Sequence, residues 1–253
     1  VLPVSVDNVD ADLTDDIERA VPSAVSAFGR DNGFPGVRAV AAERDLVGHD
    51  TGYIPYLAVS ALALDALVVA GVLGGMAMTR EWEGRTIVQW HLAPVAPGYL
   101  LAGKLLAAAL VSAAGVAVAA AVVMVGYGIT PINMAATLGT LALCIVVFTC
   151  LGACAGSVLR RSLAIAPLFF GLALPLYVDS GALEPARFDG NAAWAIAHAT
   201  PVYSAVGLLE RAAHGLNVTP ESAWANVLAL TLWAALSVLV AAAVVARRVA
   251  PHP

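Results

Sequence analysis

The run YIPYLAVSALALDALVVAGVLGGMAM, Tyr53–Met78, is broken only by Ser60 and Asp65. A bilayer core about 30 Å thick is crossed by about 20 consecutive apolar residues in a helix, and this run is longer than that. Lipid offers no partner to free backbone N–H and C=O groups, so such a span must be helical; an open strand would leave them unpaired. This one stretch therefore sets the fold class as an all-α integral membrane protein.

Four further runs repeat the pattern. Val95–Tyr127 exceeds one crossing and is expected to tilt or to begin at the interface. Met134–Leu159 reads as a third span, and Ala223–Ala246 as a fifth. Leu163–Val178 is shorter and carries Pro167 and Pro175, which predicts a kinked fourth. Composition agrees with a polytopic helical bundle. Of the 253 residues 60% are hydrophobic and only 12% charged, against about 25% charged in soluble domains. The net charge of −5 belongs to loops, and no basic stripe marks a nucleic-acid partner. Membrane lipid is the partner that the surface implies.

Orientation follows Lys and Arg rather than net charge. Arg80, Arg85 and Lys104 flank the first link, Arg160 and Arg161 the third, and Arg247 and Arg248 follow the last span. All share one side, assigned to the cytoplasm, where the C-terminus also falls. Ten of the 18 acids precede residue 51, on the opposite side. Residues 1–52 are then an extracytoplasmic head, and residues 53–253 the transmembrane domain. In the head, Leu2–Val6 and Val37–Ala42 read as strands and Asp12–Phe28 as a helix opened by Asp12-x-x-Asp15, a small α/β unit with solvated acids. Such a head needs something to carry it across, and no signal-peptide pattern opens the chain at Val1. A leading sixth span is therefore expected ahead of it. Between spans four and five, Asn191–Val206 is fairly apolar but cut by His198 and Pro201, and Gly207–Gly215 reads as a short amphipathic turn of helix, which together predict an external re-entrant hairpin over 191–215. Thr219-Pro220-Glu221 reads as the cap of the last span. Arg outnumbers Lys twelve to one, the mark of a GC-rich bacterial genome. The expected location is a bacterial cytoplasmic membrane.

The link from Thr79 to Lys104, TREWEGRTIVQWHLAPVAPGYLLAGK, concentrates charge at its start. Trp82, Thr86 and Trp90 recur at helical spacing, and Trp favours the membrane interface. Gly84 lets the chain bend, and Pro94 and Pro97 close the segment. The pattern predicts a helix over about 79–93 lying along the cytoplasmic surface and offering carboxylates and Arg to water or to a partner.

Here the chain resembles the ABC-2 type permease family, whose members carry an acidic pair, Gly and Thr after their second helix, then a Pro and a Gly-Lys pair. The matching residues are Glu81-Trp82-Glu83-Gly84-Arg85-Thr86, Pro94 and Gly103-Lys104. Arg85 departs from the pattern, standing where the family often runs directly from Gly to Thr. Tyr53-Ile54-Pro55 is also similar, with Tyr56 in place of the usual Gly. The resemblance implies the transmembrane subunit of an ATP-driven exporter of drugs, antibiotics, lipids or polysaccharides. It implies pairing with a second permease copy or paralogue, and Glu81, Trp82, Glu83, Gly84, Arg85 and Thr86 contacting a separate ATP-binding subunit. No cofactor is expected on this chain, because ATP would be bound by that partner. Gly98 to Leu105 nearly matches a phosphate-binding loop, but Leu105 replaces the hydroxyl that would hold Mg²⁺.

Asp65 lies near the middle of the first span, where Asp costs about 2.5–3.5 kcal/mol to insert. It reads either as a substrate or proton site or as a buried polar contact. The alternative function is accordingly a proton-coupled secondary transporter using Asp65. His198 and His214 lack Cys or acid at metal-ligand spacing and read as structural, as do Cys144, Cys150 and Cys154. Gly71-x-x-x-Gly75 and Gly152-x-x-x-Gly156 read as packing positions. No nucleophile–base–acid set is visible, which disfavours an enzyme.

Overall fold

The computed structural model describes residues 11–34, 53–92, 94–183 and 191–249. It divides the chain into two compact units, Val1–Tyr56 and Leu57–Pro253. In the first, α1 (Ala11–Asp31) covers the helix expected at Asp12–Phe28. It ends at Gly33, whose φ of 79° is the left-handed turn that lets Phe34 N donate to Gly29 O at 2.8 Å. The strands expected at Leu2–Val6 and Val37–Ala42 lie outside the described residues, among which there is no strand.

The second unit is built on α2 (Tyr53–Glu83), α4 (Pro97–Gly126), α5 (Met134–Leu159), α6 (Ile165–Tyr177) and α9 (Ala223–Val249), with short α3 (Gln89–Leu92), α7 (Asn191–His198) and α8 (Pro201–Ala213) between them. Among the described residues, five helical stretches are long and apolar enough to cross a membrane, the fourth running Ser162–Ala182 through the turns on either side of α6. Local chemistry sets the ends. Pro97 and Pro201 open α4 and α8, where a missing N–H costs nothing. The Asn133 side chain accepts from Ala136 N at 3.0 Å to cap α5. Pro175 removes a donor near the end of α6, and the chain loosens into a π turn over Val178–Ala182 with Gly181 at φ 82°.

Two expectations are corrected. The cap of the last span is Ser222 rather than Thr219-Pro220-Glu221: α9 starts at Ala223, where the span was expected to start, and Ser222 Oγ accepts from Ala225 N at 3.3 Å. Glu221 is drawn away from a capping position by side chains of α7 and α8. The surface helix expected over 79–93 is three pieces: α2 runs on to Glu83, Arg85 adopts φ 55°, a 3₁₀ turn covers Thr86–Val88, and α3 follows. Helix cannot continue through a left-handed residue, so the segment folds back beneath the bundle.

In lipid there is little hydrophobic drive between helices, and close packing at small residues takes its place. The two glycine pairs do this together. A Cβ on Gly152 would sit 2.1 Å from Gly71 O, and one on Gly156 would sit 2.3 Å from Gly75 O. Thus α2 and α5 cross with backbone against backbone. On its other side Gly71 lies against the Phe169 ring, and Gly75 against Ile165, which seats α6. Around this crossing Leu62, Leu67, Val116, Ile145, Phe148, Val206, Leu209 and Leu230 form one buried cluster drawn from α2, α4, α5, α8 and α9. Ala212 and Ala213 carbonyls at the end of α8 accept from Asn133 N and Ile132 N, so the α4–α5 loop satisfies them.

Candidate functional site

At the end of the bundle where α2 stops and α4 and α6 start, the chain ties a knot around Glu81. Its Oε1 accepts from Lys104 Nζ at 2.5 Å; its Oε2 accepts from Thr86 Oγ1 at 2.7 Å and from Trp90 Nε1 at 3.2 Å. The Glu81 side chain is 13% exposed and that of Lys104 37%. Three donors from the 3₁₀ turn, α3 and α4 thus converge on one carboxylate. The left-handed Arg85 makes this possible, since reversing the chain after Gly84 brings Thr86 back against Glu81. Beneath the carboxylate, Met78, Ile87, Trp90, Leu101, Ala153 and Val245 form a second buried cluster, with Trp82 and Leu105 against it.

The other two motif side chains turn toward α5 and α6. Arg160 Cζ lies 4.0 Å over the Trp82 ring, a cation–π contact worth about 0.5–1 kcal/mol at an exposed site. Glu83 accepts from Ser162 N at 2.8 Å and from Ser162 Oγ at 3.0 and 2.8 Å, placing a carboxylate at the start of the helical stretch that leads into α6. Arg160, like Arg85, has φ 55°, and these are the non-glycine residues with positive φ among those described. Around the knot, Arg85 and Gln89 are exposed, as are Leu92 (80%), Val95 (45%), Tyr99 (75%) and Leu163 (91%). The site is a mixed polar and apolar edge mounted on the ends of several spans, with its carboxylates spent inside the chain.

A family model described as ABC-2 family transporter protein matches residues 44–243. The chain belongs to that family. It is a multi-pass membrane protein of the ABC-2 permease kind, whose members act generally as transport components rather than enzymes. A comparison with curated proteins returned no match.

Within this ABC-2 protein the structure brings Glu81, Trp82, Glu83, Gly84, Arg85 and Thr86 to one end and leaves Asp65 apart from them, in the helical run of α2. Asp65 Oδ2 is buried without a hydrogen-bond partner among the described residues. The near phosphate loop, Gly98 to Leu105, lies inside α4, and its Lys104 is committed to Glu81. Sequence reading passed over Arg160 and Ser162 as site residues. A basic residue and a helix-starting Ser before the fourth span were the available signals, but nothing local says which carboxylate they meet.

Both histidines, read in sequence as structural and without Cys or acid at metal-ligand spacing, have acid partners. His198 Nε2 lies 2.5 Å from Glu221 Oε1, Tyr203 donates to Glu221 Oε2 at 2.7 Å, and the two rings are 4.2 Å apart. Burial acts to raise the Glu221 carboxyl, but the bonds from Tyr203 and His198 outweigh it and hold it below its ordinary range. Burial and that carboxylate push the Tyr203 hydroxyl up. On α8, Glu210 Oε2 lies 2.8 Å from His214 Nδ1, an i, i+4 pair that helical spacing alone could have flagged. Among the described residues no group of three or more His, Cys, Asp or Glu side chains is placed to hold a metal.

Glu210 is fully buried, and burial pushes its carboxyl from 4.5 up to about 7, the bond to His214 acting the other way. A carboxyl whose folded value lies above its unfolded one stabilises the fold below the unfolded value and loses that contribution as pH rises through the folded one. The unfolding temperature in detergent is therefore expected to fall between about pH 5 and pH 8, and Glu210→Gln to flatten the fall. An unchanged pH profile in that variant would show that Glu210 is not its source.

Proposed function

We propose that this chain is the transmembrane permease subunit of an ATP-driven exporter, with ATP bound and hydrolysed by a separate subunit that docks on the edge formed by Arg85, Gln89, Leu92, Val95 and Tyr99. The observation that carries the reading is the Glu81 knot. It fixes a short segment rigidly across the ends of α2, α4, α5 and α9 while its outer edge stays open. Exposed Leu92 and Tyr99 beside Arg85 and Gln89 suit a protein partner, where aromatic residues and Arg are enriched at contacts. In this proposal the motif residues divide their work. Arg85 meets the ATP-binding subunit; Glu81, Trp82, Glu83, Gly84 and Thr86 hold the docking segment to the bundle. The knot faces the cytoplasm, consistent with Arg80, Arg85, Lys104, Arg160 and Arg247 gathering at that end. The chain acts beside a second copy or a paralogue in a bacterial cytoplasmic membrane. Its cargo is lipophilic, matching a bundle lined by Ala and Val.

Purification from native membranes in mild detergent tests this. An ATP-binding subunit is expected to copurify with the parent protein, and Leu92→Glu combined with Tyr99→Glu to reduce its recovery at least tenfold, a cost of about 1.4 kcal/mol. Undiminished recovery in that variant would move the docking surface elsewhere. Transport driven by a proton gradient in ATP-free vesicles, and lost in Asp65→Asn, would replace the exporter by a proton-coupled carrier.

A further inference from the structure

Glu83 matches the acidic pair by which the resemblance implies contact with the ATP-binding subunit, yet its carboxylate is engaged by α6. We propose that Glu83 and Ser162 are positioning residues that join the docking segment to α6, so that movement of the segment carries α6 with it. This rests on the docking reading above and adds the element that it moves.

Three observations converge on this joint. First, both Glu83 oxygens are directed at Ser162, and the donors are its N–H and its hydroxyl together. Bonding both donors of one residue fixes where the start of α6 sits relative to the end of α2, whereas a single bond would leave it free to swing. Second, α6 is seated on α2 through smooth contacts. The Phe169 ring lies over Gly71 and Ile165 over Gly75, with no side chain on the glycines to interlock. Such a face resists separation more than sliding, so the polar joint at its end decides the register. Third, the far end of α6 is tied to the same helix: Tyr177 Oη lies 2.7 Å from Ser60 Oγ and donates to Leu57 O at 3.3 Å. Between these ties α6 turns Phe170, Leu172 and Leu174 outward. Both ends of α6 are therefore tied to α2, the helix that continues into the docking segment, while α6 also packs on α5 and α8. The Glu83 joint lies at the exposed end, where a partner's movement would first be felt.

A test needs a variant that removes the joint without unfolding α6. Ser162→Pro deletes both donors and fits the first position of a helical stretch. The residue before a proline must be extended, and Arg161 already is, with φ −136° and ψ 115°. Glu83→Ala removes the acceptor from the other side, and Ser162→Thr keeps the hydroxyl as the rescue. Spin labels on α6 at Leu174→Cys and on α9 at Leu228→Cys, both exposed positions, report the α6 position. The background replaces the three native cysteines by alanine. The sample is the permease with its copurified ATP-binding subunit in lipid nanodiscs, with and without ATP and vanadate.

Trapping is expected to shift the label-to-label distance in the parent and in Ser162→Thr. The shift should be lost in Ser162→Pro and in Glu83→Ala, both of which keep the ATP-binding subunit at parental yield. A shift that persists in those two variants overturns the joint. Loss of the ATP-binding subunit from Glu83→Ala but not from Ser162→Pro also overturns it, and makes Glu83 a docking contact. Absence of any such subunit from the parent would bring down the docking reading, and the joint with it.

Discussion

Gly152→Leu is expected to abolish the folded bundle, while Gly139→Ala in the same helix is expected to be silent. The contrast is geometric. A Cβ at Gly152 would lie 2.1 Å from Gly71 O and 2.8 Å from Gly75 N, whereas a Cβ at Gly139 would meet nothing within 4 Å. Overpacking a core costs about 1–3 kcal/mol when side chains can shift aside. Here the obstacle is the backbone of α2, which has no rotamer to change, so the cost exceeds that range. A net stability of about 5–15 kcal/mol leaves little room for it. Gly152→Leu should elute as aggregate on size exclusion and show no cooperative melt, and Gly152→Ala should melt well below the parent. A monodisperse Gly152→Leu protein with a parental melting temperature would mean that α2 and α5 do not cross at these glycines.

The second large effect belongs to Glu81. Glu81→Ala strands three donors at once, from Lys104, Thr86 and Trp90. Hydrogen bonds to a charged partner are worth about 1.5–3 kcal/mol, and exposed ion pairs about 0–1 kcal/mol. With Glu81 mostly covered and Lys104 more open, a loss of about 2–3 kcal/mol is expected. The loss should be local, because the glycine crossing that holds the spans does not depend on Glu81. Hydrogen exchange reads it directly. Amides of Thr86–Leu92 should exchange roughly 30- to 150-fold faster while those within α5 stay protected. Adding Lys104→Ala to Glu81→Ala should cost little more, since the pair has already lost its partner. Parental exchange rates across Thr86–Leu92 would show that the apolar cluster under Trp90 alone holds the segment.

Much of the bundle was legible from sequence because lipid enforces a simple rule. Every span must satisfy its own backbone, so length and apolarity mark the helices, and Met134–Leu159 carries the same bounds in both readings. The coarse family pattern was legible as well, since Glu81, Gly84, Pro94 and Lys104 sit at fixed intervals along the chain. Small errors arose where tertiary contacts compete with local preference. Glu221 suits a helix start by composition, but His198 and Tyr203 offer it stronger partners. Arg85 read from sequence as a basic residue of the first link, a contact implied by the resemblance and a departure from its pattern; its left-handed backbone adds the reason for the departure, since the extra residue makes the reversal that returns Thr86 to Glu81.

The amino-acid order by itself therefore determined that this chain crosses a bilayer as helices, roughly where each span lies, and that its densest charged motif sits in the first link between spans. It could not say what those charges touch. Glu81 meets Lys104 across 23 positions and Glu83 meets Ser162 across 79, and no local periodicity encodes a pairing over such separations. Likewise the two glycine pairs were visible as spacings, but only the packed bundle made them one another's partners. The physical reason is common to both: lateral contacts among lipid-embedded helices are chosen by three-dimensional fit, after each helix has already formed.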